Sequence, residues 1–202
     1  MVSGTGSTGF CLRSCTRRVR SIGRAWPWTL LVSPRRTRQK RGASVGPNPT
    51  DRGKQGTKRS VATENKHGLP LAVIQAGANI PDCKLLERTV DAIPALPGRR
   101  GRPRQKPGKV HADKGYDYAF CREILWVRYI TPRIARRGIE SKDRLGRYRW
   151  KVERTSAWFN RFRRLKIRYE QRDDIHQGFI DLSSNLICWN HCQRLLPEYR
   201  FC

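Results

Sequence analysis

Lys109-Val110-His111-Ala112-Asp113-Lys114-Gly115-Tyr116-Asp117 is the stretch on which the reading of this chain turns. Lys109 to Asp113 reads as a short strand, and Gly115 permits a sharp exit from it. Tyr118 to Trp126 then reads as a helix and Tyr129 to Ile134 as another strand. Upstream, Thr57 to Thr63 and Leu69 to Ala76 read as two strands joined by a turn at Lys66-His67-Gly68, which makes a hairpin. Asp82 is placed as the N-cap of a helix through Leu85, Leu86 and Val90 that ends before Pro94. A loop of Pro, Gly and Arg fills Leu96 to Gly108. Downstream, Arg147 to Leu165 and Ile175 to Leu196 read as helices. Strands that open in a hairpin and then alternate with helices describe an α/β layer fold with a mixed sheet.

The chain has 202 residues, enough for one domain with a core. It carries 43 Lys plus Arg against 16 Asp plus Glu, a formal charge of +27. Such an imbalance repels the compact state, so it points to a polyanionic partner, nucleic acid before all others. A ribosomal-type protein, a membrane-surface binder and a reading-frame accident in GC-rich DNA are the competing explanations. The seven cysteines form no C-x-x-C pair, and His191 between Cys188 and Cys192 gives no zinc spacing, so neither a metal site nor a disulfide framework is expected. The apolar run Trp26 to Val32 is interrupted by Pro27 and is too short to span a bilayer.

Residues 1–50 contain no acid; the first is Asp51. Arginines scattered among Gly, Ser, Thr and Pro show no helical or strand period there, so residues 1–44 are expected to be disordered or translated out of frame. Residues 45–202 are expected to form the catalytic domain, in part.

Two carboxylates stand out. Asp113 falls at the carboxyl end of its strand, where ligand sites of open α/β sheets collect. Asp117 is assigned as N-cap of the helix that follows. In Trp150-Lys151-Val152-Glu153-Arg154-Thr155, helical spacing puts Val152, Thr155, Phe159 and Phe162 on one face, with Glu153 beside that stripe. Glu153 could also serve the helix dipole or pair with Arg149. Taken together, two hard oxygen donors suit Mg²⁺ or Mn²⁺, and such ions suit phosphodiester chemistry.

At these residues a family resemblance becomes specific. Gly46-Pro47-Asn48-Pro49-Thr50-Asp51-Arg52-Gly53-Lys54, Gly68-Leu69-Pro70-Leu71-Ala72-Val73, Ala112-Asp113-Lys114-Gly115-Tyr116-Asp117, Arg133-Ile134-Ala135-Arg136-Arg137-Gly138, Val152-Glu153-Arg154-Thr155, Asn160-Arg161-Phe162-Arg163-Arg164-Leu165 and Ile167-Arg168-Tyr169-Glu170 follow in order. The chain resembles bacterial insertion-sequence transposases with a DDE catalytic domain, of the group five type, from about Gly46 to Leu196. The resemblance implies a ribonuclease-H-like mixed sheet flanked by helices, a Mg²⁺ or Mn²⁺ cofactor, and strand transfer at mobile-element ends. It makes Asp113 the second catalytic Asp and Glu153 the catalytic Glu, both metal ligands.

One departure stands against it. The family's first catalytic Asp lies in a motif like Asp-Ser-x-x-Val-Arg-Ala just before the Gly-Pro-Asn-Pro loop. Here Ser33-Pro34-Arg35-Arg36-Thr37-Arg38-Gln39-Lys40 has no acid and contains a strand-hostile proline. The opening strand is therefore expected to be missing, through truncation or a frame shift, and the chain to be an inactive remnant. The alternative is a DNA-binding fragment that inhibits an intact transposase; a third reading is a metal nuclease with a substitute carboxylate. DNA contacts are expected from Arg99, Arg100, Arg102, Arg104 and Lys106 in the loop, and from Arg161, Arg163, Arg164, Lys166 and Arg168. The expected setting is the cytoplasm and nucleoid, with DNA as partner, a possible homo-oligomer and no membrane.

Overall fold

A computed structural model describes residues 28–33, 44–50, 52–95, 106–139 and 142–195, with backbone alone for 28–33, 142–149 and 195. Its elements are β1 (Trp28–Ser33), β2 (Gly46–Pro47), β3 (Gln55–Thr63), β4 (Pro70–Gly77), α1 (Asp82–Asp91), β5 (Lys109–Ala112), a single 3₁₀ turn (Lys114–Tyr116), α2 (Ala119–Val127), β6 (Thr131–Ile134), α3 (Lys142–Arg161), α4 (Arg163–Lys166) and α5 (Asp173–Leu195).

The main sheet runs β4-β3-β1-β5-β6, with the short β2 pairing the start of β3. β3 is antiparallel to both β4 and β1. β1, β5 and β6 are mutually parallel. Successive residues of a strand face opposite sides, so neighbours on β3 report what covers each face. Ser60 Oγ lies 2.7 Å from Thr89 Oγ1 of α1, whereas the guanidinium of Arg59 sits over the Phe159 ring of α3. Helices therefore cover both faces, and β3 and β4 are buried almost throughout. That architecture is ribonuclease-H-like.

The expected gap at the opening strand is filled. Trp28-Thr29-Leu30-Leu31-Val32-Ser33 pairs with β3 from Thr29↔Thr63 to Ser33↔Arg59, and with β5 at Trp28↔Val110 and Thr29↔His111. Aromatic, β-branched and apolar residues suit a pleated central position, and the strand stops before Pro34, which has no N–H for a ladder. The strand thus lies just upstream of the Pro34 segment. It also lies inside residues 1–44, the segment expected to stand apart from the domain.

Other elements differ by a residue or two from expectation, with two exceptions of substance. The long helix does not run from Arg147 to Leu165: α3 starts at Lys142 and ends at Arg161, and Phe162 starts a separate turn, α4. Asp117 caps no helix; Tyr118 stands at the N-cap of α2, and Asp117 instead binds the Arg122 guanidinium and accepts the Arg137 N–H at 2.8 Å. Cys83, Cys121 and Cys188 are free and buried, while Cys192 is disulfide-bonded, although the cysteine spacing gave no expectation of a disulfide framework.

Candidate functional site

β5 is four residues long because Val110 and Ala112 enter the core while Asp113 turns out of it. Asp113 is exposed at the carboxyl end of the strand and caps the 3₁₀ turn, its Oδ1 accepting the Lys114 N–H at 2.6 Å. The Asp113 carbonyl accepts the Tyr116 N–H at 3.0 Å, and Tyr116 packs into the core. Burial, with the nearby Asp82 charge next, pushes the Tyr116 phenol well above its ordinary range. His111, one residue inside the strand end, stays neutral: burial and then the charges of Arg133 and Lys109 hold its imidazole below the usual value.

Glu153 is exposed on α3, which packs on β1 and β3. Its flanks hold that helix in place. Thr155 Oγ1 donates to the Gly68 carbonyl, Arg154 to the His67 carbonyl, and Lys151 to Asn65, whose Oδ1 lies 3.1 Å away. The turn they grip is itself built around Glu64, whose carboxylate accepts the N–H groups of Lys66 and of His67, the latter at 2.7 Å. Burial nevertheless raises the Glu64 pKa, because desolvation outweighs those two bonds. Gly68 has φ +69, and a Cβ there would stand 3.0 Å from the Lys151 carbonyl and 3.2 Å from Thr155 Oγ1. Glycine is thus needed twice over, for the left-handed turn and for the close approach of α3. The hairpin turn and the Glu153 motif each stood out separately in the sequence; nothing in their spacing of 86–87 residues announced that they touch.

The basic residues divide into three groups. Arg99, Arg100, Arg102 and Arg104 lie outside the described residues. Lys106, Arg161, Arg163, Arg164 and Lys166 are exposed. Arg164 also binds Glu170 at 2.7 Å, and with Arg163 and Tyr169 it lines a shallow recess. Arg168 is the correction. Its side chain is fully buried, donating to Thr57 Oγ1 at 2.9 Å, to the Glu170 carbonyl at 2.9 Å and to Asp173 at 2.5 Å. It cannot reach a DNA phosphate. Arg168 ties β3 to the start of α5, where Asp173 also accepts the Ser44 N–H at 2.8 Å. Burial opposes ionisation of Asp173, but these donors hold its pKa below the ordinary carboxylate range.

The arrangement places one exposed acid at a strand end beside β1 and another on a helix over β1, within a ribonuclease-H-like sheet. Residues 32–190 match the family model described as the transposase DDE domain. The chain belongs to the DDE transposase family. It is 47% identical over 189 residues to the Burkholderia cepacia protein described as the transposase for insertion sequence element IS402, covering 91% of this chain and 89% of that one. That span reaches into the segment before residue 45. Members of the family act on DNA and use divalent metal ions. No helix among the described residues is long and apolar enough to cross a membrane.

Among the described residues the donor set does not fit the family's metal site. Among the described residues no group of three or more His, Cys, Asp or Glu could hold an ion. β1, the neighbour of β5, contains no Asp or Glu. Asp51, the nearest acid downstream, lies outside the described residues.

Proposed function

We propose that this chain is a DNA-binding member of the DDE transposase family that does not cut or transfer strands as it is translated. Asp113 and Glu153 stand for two of the family's three catalytic carboxylates, and Mg²⁺ or Mn²⁺ is the ion their oxygens suit. The observation that carries the reading is the acid-free β1 in the middle of the sheet. Two-ion phosphodiester chemistry stabilises attacking and leaving oxygens together, and two carboxylates hold the second ion weakly. DNA contact is assigned to Lys106, Arg161, Arg163, Arg164 and Lys166, with the loop arginines Arg99, Arg100, Arg102 and Arg104, in a nucleoid setting. The test is an assay on element-end DNA with Mg²⁺ and with Mn²⁺, beside Asp113→Ala and Glu153→Ala. No cleavage above these two controls is the expected result. Robust cleavage abolished by either substitution overturns the proposal and points to a substitute carboxylate, Asp51 first.

The exposed row Arg161, Arg163, Arg164 and Lys166 favours a second activity, inhibition. A folded chain that binds element ends without cutting them competes with an intact transposase, or joins it in mixed oligomers. Added to a transposition reaction, it is expected to lower product yield in proportion to its concentration.

A further inference from the structure

We propose that the outer face of α5 is a contact surface for a second copy of this chain, packed antiparallel about a two-fold axis at Leu182. The proposal does not depend on the reading of Asp113 and Glu153. The inner face of the helix seats it on the sheet: His176, Ile180, Ile187 and Cys188 are buried, and Gln177 donates to the Val73 carbonyl at 2.9 Å. The opposite face is apolar as well. Ile175, Leu182, Leu186 and Trp189 are 45%, 54%, 41% and 44% exposed. Steps of seven, four and three residues align them in one stripe along the helix. Single exposed apolar residues are ordinary, but a contiguous row of large ones marks a contact surface. That surface is not a membrane span, for which α5 is not apolar enough.

Charge selects the occupant. Lys and Arg make up 43 of the 202 residues, yet none occurs from Asp173 to Gln193, the longest stretch of the sequence without one. Nucleic acid gains little from such a face, because its affinity comes from neutralised phosphates. A second copy carries the same formal +27 and is repelled wherever basic surfaces meet. An uncharged stripe is therefore where two copies approach with least repulsion. At its border Arg164 lies over the Phe179 ring and binds Glu170, so that charge is met within the chain.

The stripe is also complementary to itself. A two-fold contact pairs residue i with j and j with i. About Leu182 in an antiparallel pair, Ile175 faces Trp189 of the other copy, both seven residues from the centre. Gly178 faces Leu186 of the other copy, both four residues away. Gly178 has no purpose within one copy. It stands inside a helix, where glycine is weaker than alanine, and a Cβ there would meet nothing within 4 Å. In the pair it makes room for Leu186, small opposite large, as interdigitated packing requires. A parallel pair would set Gly178 on Gly178, Trp189 on Trp189, and the acidic start of one helix on that of the other. The antiparallel pair sets Asp173 and Asp174 beside the end that carries Arg194, and opposes the helix dipoles. A strip about 34 Å long and about 10 Å across covers less of each copy than the ~800 Å² of a standard interface, so the dimer is weak and reversible.

Sedimentation equilibrium of the full chain, stripped of nucleic acid, tests the proposal. A monomer–dimer equilibrium with Kd on the order of 10 µM is expected. It tightens as salt is raised, because screening weakens the repulsion between two basic copies, whereas association bridged by nucleic acid loosens. Leu182→Asp sets two carboxylates face to face and is expected to weaken the dimer about a hundredfold, while the monomer still unfolds cooperatively at its former midpoint. Gly178→Leu is expected to raise the monomer's unfolding midpoint through helix propensity and yet to weaken the dimer. Mild oxidation of Leu182→Cys is expected to give a covalent dimer beyond any formed by the parent chain. Leu186→Cys is expected to give none, since about 12 Å of helix rise separates its two copies. A chain that stays monomeric, a dimer indifferent to Leu182→Asp, or cross-linking through Leu186→Cys overturns the proposal. So does a large loss of monomer stability in Leu182→Asp, which would mean that the chain's own segments cover the stripe.

Discussion

β1 and β5 lie side by side and parallel at the centre of one sheet, yet they answer to different requirements. β5 ends in an acid that leaves the core through a sharp turn, and its neighbours support that one residue. β1 satisfies the same sheet with Trp28-Thr29-Leu30-Leu31-Val32-Ser33 and presents no acid at all. A central strand needs only apolar or β-branched residues of roughly the right pattern, a condition that many unrelated sequences meet. A metal site needs one side-chain type at one position. A place in the sheet is therefore a looser demand on sequence than a metal site.

The sharpest way to break this comparison is Leu31→Pro. If β1 is a true central strand, proline at Leu31, which pairs with Val61 of β3, disrupts that ladder and costs about 2–4 kcal/mol. Urea unfolding followed by circular dichroism reads the loss. An unchanged midpoint means that the sheet closes without β1.

A smaller contrast separates arginines that hold the fold from those that face DNA. Arg168→Ala leaves Asp173 partly buried without its guanidinium and is expected to cost about 3 kcal/mol. Arg163→Ala is expected to shift stability by less than about 0.5 kcal/mol. It should instead flatten the slope of log affinity for DNA against log salt by about 0.9, the share of one phosphate. Titrations of both variants at several salt concentrations decide the matter; reversed roles would place the DNA face elsewhere.

The smallest effect expected is acid sensitivity. Burial, followed by neighbouring positive charge, holds all four histidines, His67, His111, His176 and His191, below the ordinary imidazole value, His191 at about 4. The unfolded chain then takes up protons more readily than the folded one. Stability is present above the unfolded value of about 6.5 and is lost as pH falls from there towards about 4. Glu64 and Asp181, whose pKa values burial raises, work against that loss. Urea midpoints of His191→Gln, measured against the parent between pH 7 and pH 4.5, isolate the contribution. Parallel curves for the two proteins would show that His191 has none.

Much of the fold was legible because its signals are local. The β3–β4 hairpin, α1, β5 and α2 are each announced by turn residues and by runs of one character, and Asp113 sat visibly at a strand end. Glu153 was legible by the company it keeps in Val152-Glu153-Arg154-Thr155. What escaped the sequence depends on distance. β1 hides in an arginine-rich background because only pairing with β3 and β5 gives its apolar residues a purpose. Arg168 looks like its exposed neighbours Arg163, Arg164 and Lys166, and only Thr57 and Asp173 reveal it as a buried tie. The break at Phe162 likewise follows from packing, since Arg161 to Leu165 reads as uninterrupted helix by period alone.

The position of β1 also sets an order of assembly. Its partners β3 and β5 begin 27 and 81 residues downstream of its own first residue. β3 and β4, by contrast, close through a six-residue connection, a loop whose entropy is small. Local closure is fast and long-range closure slow, so the hairpin is expected to form before β1, the first of the described strands, is admitted between β3 and β5. Until then β3 and the β5–β6 pair each present an open edge that will accept any extended chain of similar character. The innermost strand of the domain is therefore the one whose place depends most on segments far along the chain.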